Sequence, residues 1–380
     1  MARDLGIAWP LSSVSGYGVY GTRLALTQLK DGRGDLALLQ TPIGLILNPL
    51  EDARLAPYLA RAGLAEGPTA CSHPVLHGVG NEFALQEVSG RVRGQPDIGC
   101  IAFEDTRFSP QAIESGKRFQ RLIAISSFNA DHLRALGFAN VLLARQGVDG
   151  SQFHPAPRSG LLGERFAIFS GGKLEYRKGQ DLVVTAFKRF RARHPEALLV
   201  AAWQTPNPAA AAAFALAGHV AGLPEKDGKG GLDLIGWLAA NGVAPDSVRD
   251  LGYVAHPLMP AILREMDAAL FPSRCEGGTN LVAMEAIACG VPTIVSANTG
   301  QADLIAQTGC LALTRQAPVR PPHPEAGIDG WGESDVEEIV AHLEAIHADR
   351  AGARARALAE SVRIREWDWD VQNRVLLDSL

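Results

Sequence analysis

The sequence predicts an α/β chain of two doubly wound domains facing each other across a cleft, and three observations predict it. The chain has 380 residues, more than one ordinary core organises. Short, continuously apolar runs alternate with helix-like segments from end to end, as parallel strands covered on both faces require. The alternation pauses once, over residues 147–164, where Pro155, Pro157 and four glycines mark a linker. This gives a first domain of residues 1–155 and a second of 156–361, with a tail from about 362 to 380 packing back on the first.

Taken in order, residues 1–10 carry Asp4 and Pro10, which make a poor signal peptide and a good first strand. Residues 36–40, 98–103, 122–126 and 141–144 read as buried strands, and residues 130–136 as a helix stopped by Gly137. Beyond the linker, residues 166–169, 197–203, 268–271 and 292–295 read as strands and 181–193 as a helix. Residues 315–334, rich in Pro and Gly, read as irregular, and the tail from Val336 as mostly helical. Trp367 and Trp369 in that tail read as packing anchors for a helix returning to the first domain.

Composition narrows the function. Apolar residues make up 47% and charged ones 20%, a soluble globular balance, and no run approaches the roughly 18 apolar residues of a membrane span. The protein is read as cytoplasmic. A net charge of -5 excludes a general nucleic-acid binder and leaves room for a local basic patch at the inner membrane face. The five cysteines are widely spaced without a C-x-x-C pair, so neither a disulfide framework nor a zinc site is expected. His73 and His77 lie four apart with no third ligand in sequence, and are read as surface or capping histidines.

In doubly wound sheets, ligands bind beyond the carboxyl ends of the strands, so chemistry is sought in the strand-to-helix loops. The first such loop runs Gly171-Gly172-Lys173-Leu174-Glu175-Tyr176-Arg177-Lys178-Gly179. Its glycines allow close backbone approach, and its two lysines are placed either to neutralise a diphosphate or merely to be solvated. The second runs Ser273-Arg274-Cys275-Glu276-Gly277-Gly278-Thr279-Asn280 into an apolar helix that carries Glu285. Thr279 or Asn280 serves as N-cap. The helix is apolar nearly all round and should be buried, so Glu285 must meet a cation, several donors or ligand hydroxyls. An anion-binding helix end flanked by two carboxylates suits a nucleotide sugar, a diphosphate between two polyols.

These two segments resemble the donor-site motifs of retaining family 4 glycosyltransferases, whose fold (GT-B) pairs two Rossmann-like domains. Supporting similarities are Gly16-Tyr17-Gly18-Val19-Tyr20-Gly21, Ala124-Ile125-Ser126-Ser127-Phe128-Asn129, Gln146-Gly147-Val148-Asp149 with Phe153-His154-Pro155, and Leu251-Gly252-Tyr253-Val254. The resemblance implies Lys173 and Lys178 on the donor diphosphate, Glu276 facing the transferred sugar and Glu285 the ribose. It places Gly172 and the stretch Gly277, Gly278, Thr279, Asn280 and Leu281 beside sugar and phosphates, and Tyr253 and Val254 near the base. Gly16 and Gly18 match a flexible loop over the phosphates. It implies metal-independent, retaining transfer without a cofactor, from a nucleoside-diphosphate sugar to a glycan, lipid-linked or small-molecule acceptor in glycan, polysaccharide or glycolipid biosynthesis.

The chain departs from the family at two points. Eight residues separate Glu276 from Glu285, one more than the family's pattern, and the first basic position is Lys173 where the family favours Arg. The acceptor is expected in the first domain, where Glu104 and Asp105 follow a strand and either bind an acceptor hydroxyl or cap a helix; Asn81-Glu82-Phe83 carries a weaker signal. Asp368-Trp369-Asp370, in the helical tail, is read as a chance match to a metal-clamping motif. A nucleotide-sugar-binding module or an epimerase on the same fold is the alternative. A dehydrogenase is disfavoured because no acidic residue ends a clear second strand after Gly16-x-Gly18-x-x-Gly21.

Overall fold

The computed structural model describes residues 3–63, 67–205, 207–228 and 230–380; Met1 and Ala2 of the expected first strand lie outside them. Two parallel sheets of six strands form the frame. The first contains β1 (Leu5–Ile7), β2 (Leu36–Leu38), β3 (Val75–Val79), β4 (Asp97–Ile101), β5 (Arg121–Ala124) and β6 (Val141–Leu143), in the order β2-β1-β3-β4-β5-β6. The second contains β7 (Phe166–Gly171), β8 (Ala197–Ala202), β9 (Val248–Asp250), β10 (Ala268–Phe271), β11 (Thr293–Ser296) and β12 (Leu311–Leu313), ordered β9-β8-β7-β10-β11-β12. In both, strand order reverses beside the first strand, between β1 and β3 and between β7 and β10. Those switch points leave crevices at the carboxyl ends.

Strand β3 corrects the reading of the histidines. It lies between β1 and β4, and His77 is fully buried, its ring nitrogens 2.9 Å from Ser89 Oγ and 2.8 Å from Asp97 Oδ1. A central strand tolerates a polar side chain when each of its polar atoms finds a partner. Pro74 and His77 interrupt the apolar run that otherwise marks a buried strand.

Helices cover both faces of each sheet. Helix α1 (Gly16–Lys30) follows β1, and α2 (Ser127–Ala135) follows β5, capped by Ser126. On the second sheet, α3 (Gln180–Arg191) packs Leu182, Val183, Phe187 and Phe190 into one core with Phe166, Leu199 and Trp237. Helix α4 (Leu281–Ala288) buries residues 283–288 in the core on the opposite face with Phe169, Phe271 and Leu263. Helix α5 (Val336–Ala348) packs beside α3 in the first of these cores, and α6 (Arg350–Arg363) lies against α4.

The chain then crosses back. Helix α7 (Trp369–Leu377) lies on α1, with Trp369 stacked on Tyr20 at 5.7 Å, Asp370 bonded to Thr27 and Lys30, and Arg374 paired with Asp31 at 2.8 Å. Just before it, Trp367 sits in the second sheet's core beneath Arg145. Asp368 caps α7 by accepting from the Asp370 N–H, so both aspartates have structural partners remote from the loops at the strand ends. Residues 315–334 are irregular apart from a short antiparallel pairing of Gln316–Ala317 with Glu333–Ser334. Among the described residues no helix is long and apolar enough to cross a membrane, and all five cysteines are free.

Candidate active site

The loops leaving β7 and β10 are locked into one unit. After a 3-10 turn over Tyr176–Lys178, Gly179 takes a left-handed conformation (φ 68°), and a Cβ there would lie 2.1 Å from the Pro272 carbonyl oxygen. Only glycine permits both. From the other loop, the fully buried Arg274 donates to both Asp181 oxygens at 2.8 and 2.7 Å, to Glu333 at 2.8 Å and to the Tyr176 carbonyl at 2.8 Å. Its guanidinium lies 4.2 Å from the Tyr176 ring centroid. Burial alone would lower the Arg274 pKa, but Asp181 and Glu333 outweigh it and the net shift is upward.

Glu276 sits at the focus of this unit, 3% exposed. Its carboxylate accepts from Lys178 Nζ at 2.8 and 2.7 Å, Arg177 Nη1 at 3.1 Å, Ser273 Oγ at 2.7 Å and Asn280 Nδ2 at 3.1 Å. Burial pushes its pKa up, yet Lys178 and Arg177 prevail and hold it below the ordinary carboxylate value. The group is a stable anion. Asn280, in the left-handed region at φ 65°, caps α4 by accepting from the Ala283 N–H at 3.3 Å. Leu281, half-buried, opens the helix. Among the described residues, the N–H groups of Gly277, Gly278 and Thr279 donate to no protein acceptor.

The two expected lysines are not equivalent. Lys178 is half-buried and held by Glu276, whereas Lys173, after the half-buried Gly172, is exposed and without an ionic partner among the described residues. The cation that joins Lys178 is Arg177, paired with Glu276, with Glu175 at 2.7 Å and with Glu104 of the first domain at 3.3 Å.

Glu285, 2% exposed on α4, meets His256, whose Nε2 lies 2.7 Å from its Oε1. That ring packs on Phe153 at 5.0 Å, and the His256 N–H donates to Ser13 O of the first domain at 2.8 Å. Replacing His256 by alanine strands a buried carboxylate and is expected to cost about 1–3 kcal/mol in denaturant unfolding. Two residues before His256, Val254 is half-buried, and Tyr253 is 51% exposed in the loop after β9.

Two expectations for the first domain need correction. Gly16 and Gly18 form the first turn of α1, capped by Ser15, whose hydroxyl accepts from the Gly18 N–H; they are not a free loop. Neither Glu104 nor Asp105 caps a helix, because the next one starts at Pro110 and is capped by Ser109. Both carboxylates also carry protein partners in this structure, which an acceptor hydroxyl would have to share. Glu104 pairs with Arg177, and Asp105 accepts from the N–H groups of Arg107 and Gly327 at 2.9 and 2.7 Å. The two domains touch directly at the Glu276 loop, where Ser126 Oγ donates to the Gly277 carbonyl at 2.6 Å. A Cβ at Gly277 would lie 2.5 Å from the Phe103 carbonyl oxygen.

Over residues 130–376 the sequence matches the family described as family 4 glycosyltransferases in conflict systems. The chain belongs to this family. It is 27% identical over 257 residues to glycogen synthase of Mycobacterium tuberculosis, covering 65% of this chain and 50% of that protein. It is 31% identical over 247 residues to a GDP-mannose-dependent alpha-(1-6)-phosphatidylinositol monomannoside mannosyltransferase of the same organism, covering 62% and 54%. The chain thus spans about half the length of the curated relatives it matches. Among solved structures, HepE of Anabaena in complex with UDP-glucose superposes with a TM-score of 0.65 at 13% identity over 100% of both chains. Sucrose-phosphate synthase of Thermosynechococcus elongatus gives 0.64 at 16%, over 99% and 98%. The fold is GT-B.

For this family 4 chain, reading the sequence alone missed Arg177, Arg274 and His256. Arg177 was visible between the two lysines, but only the folded turn aims it at Glu276. Arg274 adjoins the glutamate motif, and its partners Asp181 and Glu333 are far away in sequence. His256 follows Tyr253-Val254-Ala255 closely, and the signal that a partner was needed was the buried Glu285 itself.

Proposed function

We propose that this chain is a retaining, metal-independent glycosyltransferase that moves a sugar from a nucleoside-diphosphate sugar to an acceptor hydroxyl, without a cofactor. In this reading residues 156–361 bind the donor, and residues 1–155 with the tail from 362 bind a glycan, lipid-linked or small-molecule acceptor, with peripheral contact to the inner membrane face if the acceptor is a lipid. The observation that carries it is the set of undonated N–H groups of Gly277, Gly278 and Thr279 beside Glu276, Lys178 and Arg177. HepE's complex with UDP-glucose and the GDP-mannose dependence of the mycobacterial mannosyltransferase support a nucleotide-sugar donor.

The chemistry follows from charge. Donor entry requires the domains to part, since Ser126 and Phe103 lie against the Gly277 backbone. The diphosphate takes the Lys178 ammonium from Glu276, with Lys173 on its open side, and the released Glu276 oxygens accept sugar hydroxyls. Glu285, held by His256, faces the ribose, and Tyr253 and Val254 the base. The bond from the anomeric carbon to the β-phosphate oxygen breaks while the acceptor oxygen attacks from the same side, and the acceptor's proton passes to the departing phosphate oxygen. Preorganised positive charge at that oxygen lowers the barrier.

Calorimetric titration with UDP, GDP and ADP, each with EDTA and with magnesium, tests this reading. Metal-independent binding of one diphosphate, lost in the Lys173→Ala/Lys178→Ala double variant, is the expected result. Binding of none, or only with magnesium, would refute it.

A further inference from the structure

At the end of the second sheet opposite the donor loops, four side chains from two separate stretches of chain converge. His194 and Glu196 lie in the turn between α3 and β8, and Glu344 and His347 stand three residues apart in the last turns of α5. His347 Nε2 is 2.7 Å from Glu196 Oε1, His194 Nδ1 is 4.0 Å from the same oxygen, and His194 Nε2 is 2.8 Å from Glu344 Oε2. The two imidazole centroids are 3.9 Å apart. Phe190 packs on the His194 ring at 4.5 Å and Phe166 on His347 at 5.1 Å, so both rings are held from below.

We propose that His194, Glu196 and His347 bind one zinc ion, with Glu344 on the far nitrogen of His194 orienting that ring. One ligand atom from each of the first three lies within 4.8 Å of the others. Around a tetrahedral zinc with bonds of about 2.0–2.1 Å, neighbouring ligand atoms stand about 3.3 Å apart. The separations of 2.7 and 4.0 Å straddle that value, so small rotations suffice. Two imidazole nitrogens with a carboxylate oxygen, and water in the fourth position, are a donor set suited to zinc rather than to calcium or magnesium, which prefer oxygen alone. The cations already present are Arg193, 2.8 Å from Glu344, and Arg350, 3.9 Å from Glu196. Arg193 is more than half exposed, and Arg350 stacks over the Phe166 ring at 5.0 Å. Sequence spacing hides the site, because His194 and His347 lie 153 positions apart. The bound ion would clasp α5 to the start of β8, at the amino ends of the strands and away from the chemistry.

The test uses untagged full-length protein stripped with a chelator and titrated with zinc against a chromophoric competitor. One high-affinity zinc per chain and a melting temperature raised by several degrees are expected. His194→Gln and His347→Gln should each weaken binding by at least roughly 10–100-fold, the loss that follows when a group that only orients a metal ligand is removed. Their metal-free forms should keep the near-UV circular dichroism of the wild type, and Glu196→Gln provides a third variant should either histidine change perturb folding. Substoichiometric or weak zinc binding, or equal affinity in wild type and all variants, would overturn the proposal. Because the readout is zinc affinity, its failure leaves the donor-site reading untouched.

Discussion

Lys178→Ala is expected to lower kcat for sugar transfer by roughly 10²–10³-fold, the usual penalty for losing one preorganised donor to a developing oxyanion. The size follows from its position. Lys178 is half-buried, with a stem that runs beside Gly172, and once the diphosphate has drawn its ammonium from Glu276 it stands at the departing phosphate before charge builds there. Arg177 cannot substitute, because it is shared among Glu104, Glu175 and Glu276. Steady-state rates with the donor identified by titration would measure this, with unfolding midpoints as a control for the fold. A kcat within about threefold of wild type, less than 1 kcal/mol of barrier, would remove Lys178 from the transfer step. A rise in KM alone would leave it as a binding residue only.

Asp181→Ala is expected to destabilise the fold by about 3–5 kcal/mol, because it leaves the Arg274 guanidinium buried and short of its bidentate partner. Both side chains are wholly buried, so solvent does not screen the loss. Glu333 and the Tyr176 carbonyl still hold Arg274, which keeps the effect within that range. Urea unfolding monitored by tryptophan fluorescence would report it as a lower midpoint at unchanged slope. A midpoint equal to wild type would mean that the two loops are held by their backbone contacts alone. Donor affinity should fall as well, since Arg274 joins the Lys178 turn to the Glu276 loop.

Long apolar runs made most of the fold legible. Strands β7, β8, β10 and β11 and helix α4 lie where the sequence placed them to within a few residues, because each is a buried, mainly apolar run, broken in α4 by Glu285 alone. Short elements bearing polar or charged residues escaped. Strand β3 carries His77, and β9 is three residues with Arg249 and Asp250. In the site, the demand for a partner at Glu285 was readable from burial alone, but not its identity. The closeness of the two domains at Gly277 was not readable at all, since it depends on how two independently folded sheets face each other.

The two crossings between the sheets run side by side. The Val148 N–H donates to the Trp367 carbonyl at 2.8 Å, and a Cβ on Gly147 would lie 2.5 Å from the Trp369 backbone. A single tether would let one half swing and twist in many directions, whereas paired tethers leave rotation about the line through them as the easy motion. In the proposed cycle, opening would then repeat one arc and return Phe103 and Ser126 to the same seat on the Gly277 backbone. It also means that a protease cut in the linker leaves one particle. The returning 3-10 turn at residues 364–367 still carries the first half, gripped by α7.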